Sequence, residues 1–123
     1  MGELDALCER ARLRADFAFG AATKRHDTMP NNWRVTLRYK GRRLTVNFYG
    51  GSAVLNPTAA DVISSLVLDA EVGALGFEDH CREFGYDPDS RKAEAVWRTC
   101  AAFAPKVRQF LGDDFEIFAR AQH

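Results

Sequence analysis

Trp33-Arg34-Val35-Thr36-Leu37-Arg38-Tyr39-Lys40-Gly41-Arg42-Arg43-Leu44-Thr45-Val46-Asn47-Phe48-Tyr49 alternates apolar and polar residues on both sides of a glycine-bearing centre. Period-two alternation interrupted by a turn residue predicts a β-hairpin. With Lys40-Gly41 as a two-residue loop, Leu37 faces Leu44, Val35 faces Val46 and Trp33 faces Phe48, so one face is wholly apolar. The other face sets Arg38 opposite Arg43, Thr36 opposite Thr45 and Arg34 opposite Asn47. A three-residue loop would place Thr36 against Leu44, and a one-step slip would turn the core face to water. A four-residue loop keeps the same parity, and lysine is not favoured where φ is positive, so the register is defined while the turn type stays open.

Upstream, Leu4, Leu7, Cys8 and Ala11 recur at i, i+3, i+4 and i+7, with Glu3, Asp5 and Glu9 early and Arg10, Arg12 and Arg14 late. This is a short amphipathic helix whose charges match its dipole. After Arg14 the period shortens: Phe17, Phe19 and Ala21 alternate with Asp16, Ala18 and Gly20, which predicts a first strand. Thr23 to Asn32 is a polar connection carrying His26 and Pro30, with His26 expected in solvent.

Downstream, Gly50-Gly51-Ser52 ends the hairpin, and Asn56-Pro57-Thr58 leads into a helix from about Thr58 to Glu71. Thr58 and Asp61 have capping-box spacing, and Ala59, Val62, Ile63, Leu66, Val67 and Ala70 form its buried stripe. Leu68 lies off that stripe and either packs on a neighbouring element or stands as an exposed anchor. Phe77 to Phe84 reads as a two-turn helix closed by Gly85. Asp87 or Asp89 is placed to cap the next helix, with Pro88 in its first turn. Ala93, Val96, Trp97, Cys100, Phe103, Ala104, Val107 and Leu111 lie on one stripe of that long helix; Pro105 sits opposite, bending it, and Gly112 stops it. Asp113 and Asp114 are placed to cap a last turn that folds Phe115 and Phe118 onto the core. The expectation is a single α+β domain over residues 1–123, in the order α-β-β-β-α-α-α. In it a three-stranded antiparallel sheet with a central β-hairpin has one face covered by helices, with Val35, Val46 and Trp97 buried and the arginine face free.

At 123 residues the chain buries enough surface to fold without metals or disulfides. Cys8, Cys81 and Cys100 are odd in number, form no C-x-x-C pair and sit in helical segments, which fits a reducing cytoplasm. No apolar run is long enough for a membrane span, and Met1 leads into charged residues rather than a signal segment. The formal net charge is zero by cancellation. Arg10 to Arg43 holds ten basic residues against Asp16 and Asp27, whereas Asp61 to the C-terminus holds seven basic against twelve acidic. Such polarity points to an anionic partner for the basic half, a solvated arginine-rich face being the plainer reading.

Catalytic and metal-binding patterns are weak. His80 and Cys81 are adjacent on a helix and point about 100° apart, which is unsuited to sharing a proton, so Cys81 reads as structural. His26, His80 and His123 show no ligand spacing with the cysteines, and Asp113, Asp114, Asp87 and Asp89 are accounted for by capping. Gly50-Gly51-Ser52 lacks the Gly-Lys-Thr/Ser of a phosphate loop. Neither an enzyme nor a cofactor site is expected. The helix, three strands, helix order is shared with double-stranded RNA-binding domains, but these grip phosphates with lysines at the second helix start, where this chain has Thr58-Ala59-Ala60-Asp61. General nucleic-acid binding by Arg34, Arg38, Lys40, Arg42 and Arg43 stays as an alternative.

Trp33-Arg34-Val35-Thr36-Leu37-Arg38-Tyr39 with Gly41-Arg42-Arg43-Leu44-Thr45-Val46, followed by Pro57-Thr58-Ala59-Ala60-Asp61-Val62, resembles small uncharacterised bacteriophage and prophage proteins. The likeness runs on through Phe84-Gly85-Tyr86-Asp87 and Asp89-Ser90-Arg91-Lys92-Ala93-Glu94 to Phe110-Leu111-Gly112, and so covers about residues 33 to 112. Its motifs are turns, caps and core positions, and it carries over no catalytic residue. Pro105 departs from it, standing where a helix-favouring residue is expected. The resemblance implies an accessory protein that binds and blocks host machinery without catalysis, anti-CRISPR inhibitors being one such class, with a host or CRISPR-effector protein as partner. The expected partner-binding residues are Arg34, Arg38, Lys40, Arg42, Arg43 and Tyr49.

Overall fold

The computed structural model describes residues 2–19, 32–49 and 56–122. The connection with His26, the Gly50-Gly51-Ser52 turn, Ala21 at the end of the expected first strand, and His123 lie outside the described residues. Helix α1 (Glu3–Arg10) is followed by strands β1 (Arg14–Phe19), β2 (Asn32–Tyr39) and β3 (Arg42–Tyr49). Then come helices α2 (Ala59–Ala74), α3 (Phe77–Phe84) and α4 (Arg91–Leu111), a 3-10 turn (Gly112–Asp114) and helix α5 (Phe115–Gln122). The architecture is α+β with the expected element order, and the last turn beyond Gly112 extends into α5.

The strands form one antiparallel sheet in the order β1-β2-β3. Between β2 and β3 the register pairs Leu37 with Leu44, Val35 with Val46 and Trp33 with Phe48, as the alternation predicts. Tyr39 pairs with Arg42, so Lys40-Gly41 is the loop, with φ of 48° and 76°. Positive φ at both central residues is the condition of a type I′ turn, whose twist matches the flanking strands. Between β1 and β2 the pairs are Phe17 with Val35, Asp16 with Thr36 and Arg14 with Arg38. Arg12, at φ 59°, ends α1 in a Schellman-type turn, with the Leu13 N–H donating to the Cys8 carbonyl at 3.0 Å. The reversal places Arg14 at the first position of β1.

The helices cover the apolar face. Val35, Leu37, Tyr39 and Val46 join Val62, Ile63, Leu66 and Val67 of α2, Val107, Phe110 and Leu111 of α4, and Phe115 and Phe118 of α5 in one buried core. Helix α2 starts with the predicted box: Asp61 N–H donates to Thr58 Oγ1 at 3.3 Å, and Thr58 N–H donates to the Asp61 carboxylate at 2.8 Å. Gly73 is what lets α2 close on α4, because a Cβ there would collide with the Cys100 backbone carbonyl.

Three expectations change. Ser90, not Asp87 or Asp89, caps α4, its Oγ accepting from Ala93 N–H at 3.1 Å, while Asp87 accepts from Asp89 N–H and Pro88 stays in the connecting turn. Val96 is 55% exposed and Trp97 is half-buried, because in this part of α4 the cover is thin: Trp97 rests against Phe77 and donates its indole N–H to the Leu75 carbonyl at 2.8 Å. Asp114 gives its carboxylate to the hairpin tip instead of a helix cap. Pro105 lies inside α4 on an exposed position, as its place opposite the stripe predicts.

Candidate binding surface on the open sheet face

Strand parity sorts the basic residues of the hairpin into two sets. Arg34, Arg38 and Arg43 occupy the face turned away from the core, all three exposed. Tyr49 pairs with Asn32 at a register position of the same face. Lys40 and Arg42 belong elsewhere. Arg42 shares the core-side parity of Tyr39, and its Nε–H donates to the Phe110 carbonyl at 2.7 Å, where a cation meets the negative end of α4. The Lys40 ammonium donates to Asp114 Oδ2 at 2.6 Å and lies 5.3 Å from the Tyr39 ring centre. The structure therefore brings Arg34, Arg38 and Arg43 together and engages Lys40 and Arg42 with the helical layer.

The same parity adds a residue that the sequence reading placed at the end of a helix. Arg14 stands directly across from Arg38, and Arg38 directly across from Arg43, so three arginines form one row over three strands. At about 4.8 Å between strands the row is about 10 Å long. Beside it runs a second row of Asp16, Thr36 and Thr45, then a third of Ala18, Arg34 and Asn47. Asp16 accepts from Arg38 Nε–H at 3.2 Å, relieving in part a like-charge cluster that no carboxylate of the hairpin itself could relieve. Among the described residues Arg38 is the only one of the row that is ion-paired, and Arg14, Arg38 and Arg43 are all exposed. Signals for Arg14 were present: once Phe17 is assigned to the core face, Arg14 must lie on the opposite one.

Other clusters are chemically quiet. Helices α2 and α4 and the β3 edge enclose a cleft of about 380 Å³ bordered by Asp69, Cys100 and Phe103. Burial pushes the Asp69 carboxyl up, and burial with the nearby Asp69 charge pushes the Cys100 thiol up, the opposite of an activated nucleophile. Cys81 is buried and its thiol is raised by burial, Asp87 and Glu78. His80 is buried between the rings of Phe84 and Tyr86, at 5.1 and 5.3 Å, and neither of its ring nitrogens has a hydrogen-bond partner among the described residues. Among the described residues no group of three or more His, Cys, Asp or Glu side chains is placed to hold a metal ion, and no helix is long and apolar enough to cross a membrane. No protein-family model, curated protein or solved structure matches this chain.

Proposed function

We propose that the chain is a non-catalytic binding protein that docks through the Arg14, Arg38 and Arg43 row onto an acidic surface of a host protein. The observation that carries this reading is the row itself, three guanidinium groups side by side on an open sheet face. Like charges directly across strands oppose folding by a few tenths of a kcal/mol to about 1 kcal/mol per pair. A partner carboxylate offsets that cost, and the planar guanidinium fork binds carboxylates through two parallel hydrogen bonds. The resemblance to phage and prophage proteins supplies the kind of partner: a host defence or DNA-processing enzyme, CRISPR effectors included, which the chain inhibits by occupying its surface.

Nucleic acid is the second reading, and Arg34 favours it by adding a fourth guanidinium about 13 Å along the strand from Arg38. The rest of the face suits protein better. Its described side chains between the arginines are Asp16, Ala18, Thr36, Thr45 and Asn47, short polar and small groups that suit a protein surface. Asp16 also places a carboxylate where a phosphate would have to approach. Affinity capture from bacterial lysate, with and without nuclease, separates the two. The protein reading expects one captured protein that withstands nuclease; loss of all capture on nuclease treatment moves the assignment to nucleic acid.

A further inference from the structure

Helix α2 has a second apolar line that the core does not use. Leu68 and Val72 recur at i and i+4, off the buried stripe of Val62, Ile63, Leu66, Val67 and Ala70, Leu75 follows as the extended C-cap of the helix, and Leu68 is 47% exposed. Facing this line, α3 presents Phe84, 48% exposed, and between the two helices lies a groove of about 610 Å³. Its walls are fixed from behind. Trp97 ties the Leu75 carbonyl and packs on Phe77 at the α2 to α3 corner, and the Phe84 ring rests 5.1 Å from the buried His80. A pre-formed groove spares a ligand the ordering cost of building one.

The rim decides the occupant. Among the described residues the groove is bordered by Asp79 and Glu83 against one cation, Arg82, and Arg82 is held by Asp79 at 3.3 Å. An apolar floor with an acidic rim between two helices matches a helix whose apolar residues recur at i, i+3, i+4 and i+7 and whose flanks carry Lys and Arg. We propose that this groove is a second docking surface, distinct from the arginine row, and that it takes a basic amphipathic helix of a partner protein. Leu68 and Phe84 grip the apolar side of that helix, and Asp79 and Glu83 receive its cations. Leu68 to Leu75 spans about two turns, so a helix of three to four turns covers the groove.

The test uses the full chain and a synthetic peptide of about sixteen residues, three to four turns long, with leucines at the i, i+3, i+4, i+7 positions and lysines elsewhere. A second peptide carries glutamate in place of lysine. Titrations followed by amide chemical shifts and fluorescence anisotropy are expected to show the lysine peptide binding at least tenfold tighter than the glutamate peptide, with shifts centred on α2 and α3. Leu68→Asp, at an exposed position, is expected to weaken binding at least tenfold while melting at the wild-type temperature. Asp79→Lys/Glu83→Lys is expected to reverse the preference between the two peptides. Equal affinity of wild type and Leu68→Asp, shifts confined to other elements, or equal binding of both peptides would overturn the proposal. So would sedimentation of wild type as a dimer that Leu68→Asp dissociates, which would give the groove to a second copy of the chain.

Discussion

The Tyr39 hydroxyl donates to Asp114 Oδ2 at 2.6 Å, joining residues 75 positions apart. The same oxygen accepts from Lys40, and Arg42 reaches the Phe110 carbonyl, so three of the four residues at the hairpin tip clamp the end of α4 and the turn before α5. Tyr39 also stacks edge-on against Phe118 at 5.6 Å. The clamp explains why Lys40 is tolerated at positive φ, a conformation that favours Asn or Gly: its ammonium is anchored. It also engages two of the five basic residues of the hairpin, Lys40 and Arg42, with the helical layer.

Tyr39→Phe keeps the ring packing and removes only the hydroxyl. We expect a loss of about 1.5 to 3 kcal/mol, the usual net value for a hydrogen bond to a charged group. Urea denaturation checks this, and an unchanged midpoint would mean that the clamp contributes nothing.

The clamp also sets a pH window. Hydrogen bonds from Lys40 and Tyr39 hold the Asp114 carboxyl below the ordinary aspartate range. A group lowered on folding stabilises above its unfolded pKa, and the contribution is lost as pH falls through the folded value, here below about pH 4. Lys40 is raised by its bond to Asp114, and Tyr39 is raised by burial and then by Asp114, so both contribute below about pH 10 and lose that contribution as pH rises through their folded values. Asp114→Asn is expected to flatten the acid limb of the stability profile and shrink the alkaline one, read from urea midpoints across the pH range.

Gly73→Ala reverses a familiar sign. In an exposed helix interior alanine is favoured over glycine by about 1 kcal/mol. At Gly73 the added methyl meets the backbone of α4 at Cys100 and Ala101, which cannot swing aside as a side chain could. The expected result is a net loss of about 1 to 3 kcal/mol, as for an overpacked core, measured by thermal or chemical denaturation. A stabilised variant would mean that α2 and α4 are not this close.

The thiols should be slow. Cys8 is buried, and burial with the Asp5 charge pushes it up to about 11. Cys81 is buried with its thiol raised, and Cys100, half-buried, is raised as well. Alkylation near neutral pH is expected to label Cys100 first and Cys8 and Cys81 only on unfolding. Rapid selective labelling of Cys81 in the native chain would restore a catalytic reading.

Much of this architecture is legible in the chain because a period of two leaves only two registers, and only one puts Val35, Leu37, Leu44 and Val46 on the same side. The roles of Lys40 and Arg42 were not legible. Their partners lie 74 and 68 positions away, and no local pattern predicts which carbonyl or carboxylate a long side chain reaches. The face of Arg14 follows from the parity of β1, but its neighbours across the sheet follow from how β1 pairs with β2, which the local pattern does not give. The α4 stripe named what that helix can bury, but Val96 shows that the extent of burial depends on how far its neighbours extend.

The central claim, that the arginine row is the working surface, is tested most directly by charge reversal with a matched control. Arg14→Glu/Arg38→Glu/Arg43→Glu is compared with Arg91→Glu/Lys92→Glu/Arg98→Glu, an equal change of charge at exposed positions of α4. Both variants are first shown to fold by thermal melting, and the affinity of each for the protein captured by wild type is then measured. The row variant is expected to lose binding at least a hundredfold, as for about 3 kcal/mol of charged contacts, while the α4 variant stays within a few-fold of wild type. Equal affinity of the row variant and wild type would contradict the account.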